Sequence, residues 1–301
     1  MSALLLLFTC LALGIVVRRF ASPPPGIVPG INWWVINIAL PALVLAMIPR
    51  IHVDPQLWFP VAAMLLTFVG AWVLMALVGR WRQWPRERIG ALTLVCGLGN
   101  TSFMGYPMMQ ALHGKEGLAV AVVADQLGCF PLLASAGVLV ASLYAGRKPQ
   151  PALIVRRILT FPAFLALLVG LAVGAIGGWP DVVDSMLSSL GATLTPLALF
   201  SVGLQFTLRP QSGQLPAAVL GLAWKLALAP LACWFLGRAT GIEGLTLTVG
   251  VLQAAMAPMI SAAILADDYA LEPTLANTVL GAGIVISLFT IPLGNWLLMA
   301  A

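Results

Sequence analysis

The sequence predicts an all-α membrane protein: ten transmembrane helices in two inverted five-helix repeats, with helices 4 and 9 broken in mid-membrane. Three observations predict it. The 301-residue chain is 61% hydrophobic and only 8% charged, whereas soluble domains carry about 25% charged residues. Its apolar residues fall into ten stretches, each long enough to cross about 30 Å of hydrocarbon. Features of the first half then return in the second. These totals exclude a soluble enzyme, a disordered chain and a nucleic-acid binder. Long unbroken apolar runs also exclude a β-barrel, whose strands alternate apolar and polar residues.

Span 1 covers 1–17. Arg18 and Arg19 follow it and no basic residue precedes it. A signal peptide has the reverse order, so this reads as a retained helix with its C-terminal end in the cytoplasm. Spans 2 to 7 are the stretches 20–49, 55–79, 89–114, 126–146, 158–180 and 185–208, all free of Asp, Glu, Lys and Arg. Span 8, 210–237, is interrupted only by Lys225, and spans 9 and 10 are 244–266 and 273–301.

The connecting loops orient the chain. Arg18, Arg19, Arg80, Arg82, Arg86, Arg88, Arg147, Lys148, Arg156, Arg157 and Arg209 fall on one side, and Arg50, Lys115 and Arg238 on the other. Eleven basic residues against three place the first side in the cytoplasm and both termini outside, periplasmic or extracellular. Asp267, Asp268 and Glu272 also fall inside, but acidic residues count little here. The formal charge of +5 therefore reports basic loops rather than an anionic partner.

The repeat appears at half length. Ala39-Leu40-Pro41-Ala42-Leu43 in span 2 is matched by Leu194-Thr195-Pro196-Leu197-Ala198-Leu199 in span 7. Span 4 carries Gly97-Leu98-Gly99-Asn100-Thr101-Ser102, and span 9 carries Ala254-Ala255-Met256-Ala257-Pro258-Met259-Ile260-Ser261. Both interrupt a helix in mid-span. Five spans per copy is an odd number, so the copies enter the membrane from opposite sides. The repeats are 1–146 and 158–301, joined by a short basic loop, 147–157.

Backbone groups cannot stay unpaired in lipid, so a broken helix must be surrounded by protein or line a cavity. There a half-helix N-terminus suits an anion, and a C-terminus suits a cation. Asn100 and Thr101 add polar groups at one break, and Pro258 removes a donor at the other. Gln253 and Ser261 flank the second break.

Two charges lie deep in spans, where charge is costly. Asp125, followed by Gln126, is in span 5: it is a proton carrier, a cation ligand or an anchor for the break. Lys225 is in span 8: it pairs with a carboxylate, holds an anionic substrate or stabilises freed carbonyls. Asn277 and Thr278 lie at a comparable depth in span 10. Cys10, Cys96, Cys129 and Cys233 all fall in apolar segments, and His52 and His113 are far apart, so neither disulfide nor metal site is expected. Trp33, Trp34, Trp58, Trp81, Trp84 and Trp179 sit at span ends as interface anchors, and Gly170-x-x-x-Gly174 is a helix-packing spacing.

The block Gly99-Asn100-Thr101-Ser102-Phe103-Met104-Gly105-Tyr106-Pro107, then Lys115-Glu116-Gly117 and Asp125-Gln126-Leu127-Gly128, resembles the signature of bacterial auxin efflux carrier family transporters. Asn37 to Leu43, Pro196 to Leu204 and Met256-Ala257-Pro258 with Leu265-Ala266 are similar to that family's spans 2, 7 and 9. The resemblance implies a fold like the bile acid–sodium symporters, with spans 4 and 9 crossing at their breaks. Spans 1, 2, 6 and 7 would form a panel, and spans 3, 4, 5, 8, 9 and 10 a transporting core that moves like an elevator. It implies a small organic anion as substrate, a mono- or dicarboxylate, in a bacterial inner membrane. Dimerisation is compatible with it.

Asn100 matches the family's crossover asparagine and Pro258 its crossover proline. Plant members place an asparagine near the span 9 break too, where this chain has Ala255, Met256 and Ala257. The long central loop of those members is also absent. The expected substrate site is Asn100, Thr101, Pro258, Ser261, Gln253 and Lys225, with ion coupling at Asp125, Gln126 and Asn100. No cofactor is expected. Coupling to H⁺ would run through Asp125, coupling to Na⁺ would use carbonyls at the breaks, and uncoupled transport is open. No phosphate-binding glycine loop occurs, so nothing points to ATP. The competing readings are weaker. An intramembrane enzyme lacks a deep His or paired carboxylates. A retinal receptor built on Lys225 and Asp125 does not fit ten spans, and a channel fits inverted repeats with broken helices less well than a carrier.

Overall fold

The computed structural model describes residues 2–21, 23–50, 54–148, 151–205 and 213–300. His52 and Arg209 lie outside the described residues. Among these residues every regular element is helical, and the one β-type pairing is an isolated bridge. The helical segments are α1 Ser2–Phe20, α2 Ile27–Arg50, α3 Pro55–Trp81, α4 Arg86–Gly97, α5 Gly105–Tyr144, α6 Pro151–Leu159, α7 Pro162–Ala175, α8 Asp181–Gln205, α9 Leu215–Ala239, α10 Gly244–Ala254, α11 Ile260–Asp268 and α12 Pro273–Ala300. Among the described residues, six of them (α2, α3, α5, α8, α9 and α12) are long and apolar enough to cross a membrane. The chain is a multi-pass membrane protein.

Several sequence boundaries move for identifiable reasons. Span 4 is divided: α4 stops at Gly97, Leu98 is extended, and helix resumes at Gly105. Span 9 is divided the same way, into α10 and α11 around an extended Met259. The expected turn near Lys115 is a reversal inside α5, where Gly114 takes φ 65° and ψ −152°. The stretch expected as a loop, 147–157, is largely helical: α6 runs Pro151–Leu159, and α7 begins after Phe161, whose extended backbone is what a following proline favours. Span 7 starts earlier than its uncharged core, because Asp181 and Asp184 open α8. Carboxylates there suit the positive end of the helix dipole, and Asp184 also pairs with Arg50.

Four stretches run with π-type hydrogen bonding: Val35–Ala39, Ala124–Cys129, Leu133–Gly137 and Trp224–Leu228. Three of them come just before Pro41, Pro131 and Pro230. A proline cannot donate to the carbonyl four residues back, so the ladder widens there.

The described residues group into two compact units. The first comprises Met1–Asp54, Ser102–Val122 and Arg156–Phe206. In it α1 and α8 touch backbone to backbone: a Cβ on Gly14 would lie 2.3 Å from the Phe200 carbonyl oxygen, and one on Gly203 2.3 Å from that of Leu11. Gly170 and Gly174 of α7 face Ile48 and Pro49 of α2, so that spacing is a packing surface. Ala42, Ala46 and Leu187 form a small core closed by Trp179, whose Nε1 donates to the Leu45 carbonyl at 2.8 Å.

The second unit comprises Pro55–Thr101, Val123–Val155 and Thr207–Ala301. Its organiser is α3. Phe59 fills the space left by Gly237 and Gly250, and Phe68 covers Gly97. Trp224 lies against Gly70 and donates through Nε1 to the Thr67 carbonyl at 3.1 Å. At the end of this unit that carries Arg86 and Arg88, Arg88 grips Glu272 with two bonds of 3.0 Å. The Arg147 guanidinium lies 5.0 Å from the Tyr269 ring centre in the same unit.

The α1–α8 contact generates a direct expectation. Gly203→Leu forces a side chain against a backbone that cannot yield. Overpacking of this kind costs about 1–3 kcal/mol or more. The detergent-solubilised variant is expected to melt well below wild type in a thermal unfolding scan, and unchanged melting would show that α1 is not held there.

Candidate functional site: the crossing of the two broken helices

The two breaks meet in the second unit. Gly99 and Pro258 form an antiparallel bridge. The Asn100 amide donates to the Ala257 carbonyl at 2.8 Å, and the Met259 amide donates to the Leu98 carbonyl at 3.1 Å. Each break thus satisfies backbone groups freed by the other. Pro258 brings no N–H to the centre, which removes one donor that would need a partner. Gly283 of α12 lets the proline approach: a Cβ there would lie 2.3 Å from its Cδ.

Side chains complete the accounting. Thr101 donates through Oγ1 to one oxygen of Asp125, and Gln126 Nε2 donates to the other at 2.9 Å. Asp125 sits in the Ala124–Cys129 π stretch of α5, so both carboxylate oxygens are tied by hydrogen bonds, one of them to the span 4 break. Cys129, one turn on, donates through Sγ to the Gly99 carbonyl at 3.3 Å. Lys225, 0% exposed and in the Trp224–Leu228 π stretch of α9, donates from Nζ to the Ala254 carbonyl at 2.9 Å. That carbonyl is the last of α10, one of those that a helix C-terminus leaves without an intrahelical partner.

The buried polar atoms at the crossing include one donor and one acceptor with no hydrogen-bond partner among the described residues. They are the Asn100 side-chain nitrogen Nδ2 and the Gln253 side-chain oxygen Oε1. Asn100 is 2% exposed, and Gln253 is fully buried, its own Nε2 reaching the Thr101 carbonyl at 3.5 Å. A buried donor and a buried acceptor left over in an otherwise paired environment are costly, and such groups mark sites that bind something. Ser261 lies half-buried in the first turn of α11, beside backbone amides that an N-terminus leaves open.

Of the sequence-predicted site residues, Asn100, Thr101, Asp125, Gln126, Lys225, Gln253 and Pro258 therefore gather at one place, with Ser261 at its edge. Thr278 instead caps its own helix by donating to the Thr274 carbonyl. Sequence reasoning missed Cys129, treated there as a small apolar residue. Its position four residues after Asp125 puts both on one helix face, which was the available signal. It also missed the pairing of Arg88 with Glu272.

Helices broken at matching places, pinned to each other and lined by buried polar groups, define a membrane transporter of the broken-helix class. The comparisons agree. The chain belongs to the membrane transport protein family, whose model matches residues 1–294. It is 27% identical to an uncharacterized transporter of Methanothermobacter thermautotrophicus over 87% of this chain and 86% of that one. It is 29% identical to a Rhizobium meliloti protein named "Putative malonate transporter", over 70% of this chain and 68% of that one. It is also 28% identical to auxin efflux carrier component 3a of Oryza sativa subsp. japonica, over 44% of this chain and 23% of that one. The resemblance read from the span 4 to span 5 block holds, and the chain is a transporter rather than an enzyme.

Thr101 is the link between the span 4 break and Asp125. Thr101→Val removes a donor from a buried carboxylate, a loss of about 1–3 kcal/mol. Thr101→Ser keeps the hydroxyl and should stay near wild type. Thermal midpoints of the purified variants check this, and equal midpoints for the valine and serine proteins would refute it.

Proposed function

We propose that the protein is a secondary carrier of a small organic anion, a mono- or dicarboxylate, working by elevator-type alternating access. In this reading the chain forms ten spans in two inverted repeats with both termini outside a bacterial inner membrane. A panel of spans 1, 2, 6 and 7 supports a core of spans 3, 4, 5, 8, 9 and 10. The observation that carries the proposal is the Asn100 Nδ2 donor, buried and without a hydrogen-bond partner at the crossing. The open amides at the N-terminus of α11 and the Ser261 hydroxyl offer further donors, and the helix dipole adds positive potential. Such donors suit a carboxylate. Gln253 Oε1 suits a hydroxyl, or a carboxyl that carries a proton. The "malonate" in the name of the Rhizobium meliloti relative supports the same substrate class.

The test is binding followed by flux. A ligand at 100 times its Kd stabilises the folded state by about 2.7 kcal/mol. A panel of mono- and dicarboxylates, malonate included, should therefore raise the melting temperature of the purified protein selectively, and Asn100→Ala should abolish the rise. In proteoliposomes the same compound should show saturable uptake and counterflow. Uptake that does not saturate would indicate a channel. A shift from neutral or cationic solutes with none from carboxylates would overturn the substrate class.

A further inference from the structure

Deepening that reading, and resting on it for the transport cycle, we propose that Lys225 is a tethered cation: its ammonium takes the place at the crossing that a coupling metal ion would fill, so the carrier cycles without Na⁺. A helix C-terminus carries a partial negative charge of about half an elementary charge. In mid-membrane neither water nor lipid headgroups can offset it, so a cation must. Lys225 delivers one, with Nζ 2.9 Å from the Ala254 carbonyl and its side chain wholly buried.

The chain has made room for that ammonium. A Cβ on Gly99 would lie 2.9 Å from Nζ, so any side chain at 99 would compete for its place. The lysine stem is aimed by its neighbour. Trp224 is locked to the Thr67 carbonyl and fills the gap at Gly70, which fixes the π stretch and therefore the direction of Lys225.

The carbonyls that a hard cation would need are also engaged. Such ions take several oxygen ligands at once. Leu98 O accepts from the Met259 amide, and Ala257 O accepts from the Asn100 amide. Gly99 O accepts from Cys129, and Ala254 O accepts from Lys225. Both oxygens of Asp125 already receive donors. The crossing thus carries its positive charge permanently, and the substrate anion meets it without a co-ion.

Three measurements test this, and the first needs no variant. The melting temperature of wild-type protein in nanodiscs is compared in NaCl and in choline chloride of equal ionic strength. No difference is expected, and a saturable rise with Na⁺ overturns the proposal. Second, carboxylate uptake into proteoliposomes should change by less than about twofold when choline replaces Na⁺, and a Na⁺ stimulation of about tenfold or more overturns it. Third, Lys225→Ala should lower both the melting temperature and the uptake. Propylammonium should restore them saturably, while propanol of similar size should not. Wild-type stability and flux in Lys225→Met would show that no cation is required, and would equally overturn it. If Lys225→Ala does not fold, the Na⁺ comparison on wild type decides alone. Failure of the substrate reading is separable: the protein would ignore carboxylates while propylammonium still rescued the stability of Lys225→Ala.

Discussion

A peptide group that cannot reach water must find its hydrogen bond inside the protein, and in hydrocarbon each failure costs several kcal/mol. The interior of this transporter is organised by that demand. Two helices stop in mid-span, which frees carbonyls at Gly97 and Ala254 and amides at Gly105 and Ile260. The antiparallel bridge at Gly99 and Pro258 recovers part of the loss. It sets the crossing as a fixed point, because shifting either break along its axis would break both backbone bonds. The residues around it follow. Pro258 sits where a donor would be surplus. Gly283 sits where a side chain would push the proline away.

The two deep charges belong to the same arrangement. Burying a charge in a membrane is tolerated when its own partners are built in. Asp125 receives hydrogen bonds from Thr101 and Gln126, and Lys225 gives one to Ala254. Both residues occupy π turns that end just ahead of a proline, Pro131 and Pro230. A π turn widens the helix and redirects the side chains at that level. The backbone irregularity therefore aims each charge at a break, and the prolines account for why the irregularity occurs where it does.

Much of this was legible in the sequence, because lipid leaves few solutions. Glycine clusters and prolines inside apolar runs had to be breaks, and both breaks fall where spans 4 and 9 were expected to divide. Asp125 and Lys225 stood out because charges are rare in spans. The partners were not legible. That Thr101 faces Asp125 depends on Asp125 lying in a π turn, and nothing in the periodicity of span 5 announces one. Cys129 looked apolar because a thiol is usually buried for packing; its bond to Gly99 appears only once the break is placed against α5. The pairing of Arg88 with Glu272 joins residues 184 positions apart, a distance at which loop charges carry no local signal. Span boundaries moved where charges suited to a helix end overruled hydropathy, as when Asp181 and Asp184 opened α8.

Symmetry in the backbone does not extend to the chemistry. Both breaks have the same construction, a helix end, an extended residue and a new helix start. Yet the span 4 break carries Asn100, Thr101 and Ser102, while the span 9 break carries Ala255, Met256, Ala257 and Pro258, all buried. Asn100 and Thr101 place side-chain donors within the first break, whereas Ala255 to Pro258 place none within the second. The second break contributes backbone amides at α11, and the donors beside it, Gln253 Nε2 and Lys225 Nζ, are turned to the carbonyls of Thr101 and Ala254. On the proposed function, an anion would meet the Asn100 donor on one flank and the α11 dipole on the other. The first reads the geometry of the ligand and the second reads only its charge. On that proposal, selectivity among anions of similar charge would come from Asn100 and its neighbours, and changes at Ala255 to Ala257 would alter shape and access. The two matched breaks supply the scaffold, and the divergence between them supplies the chemistry.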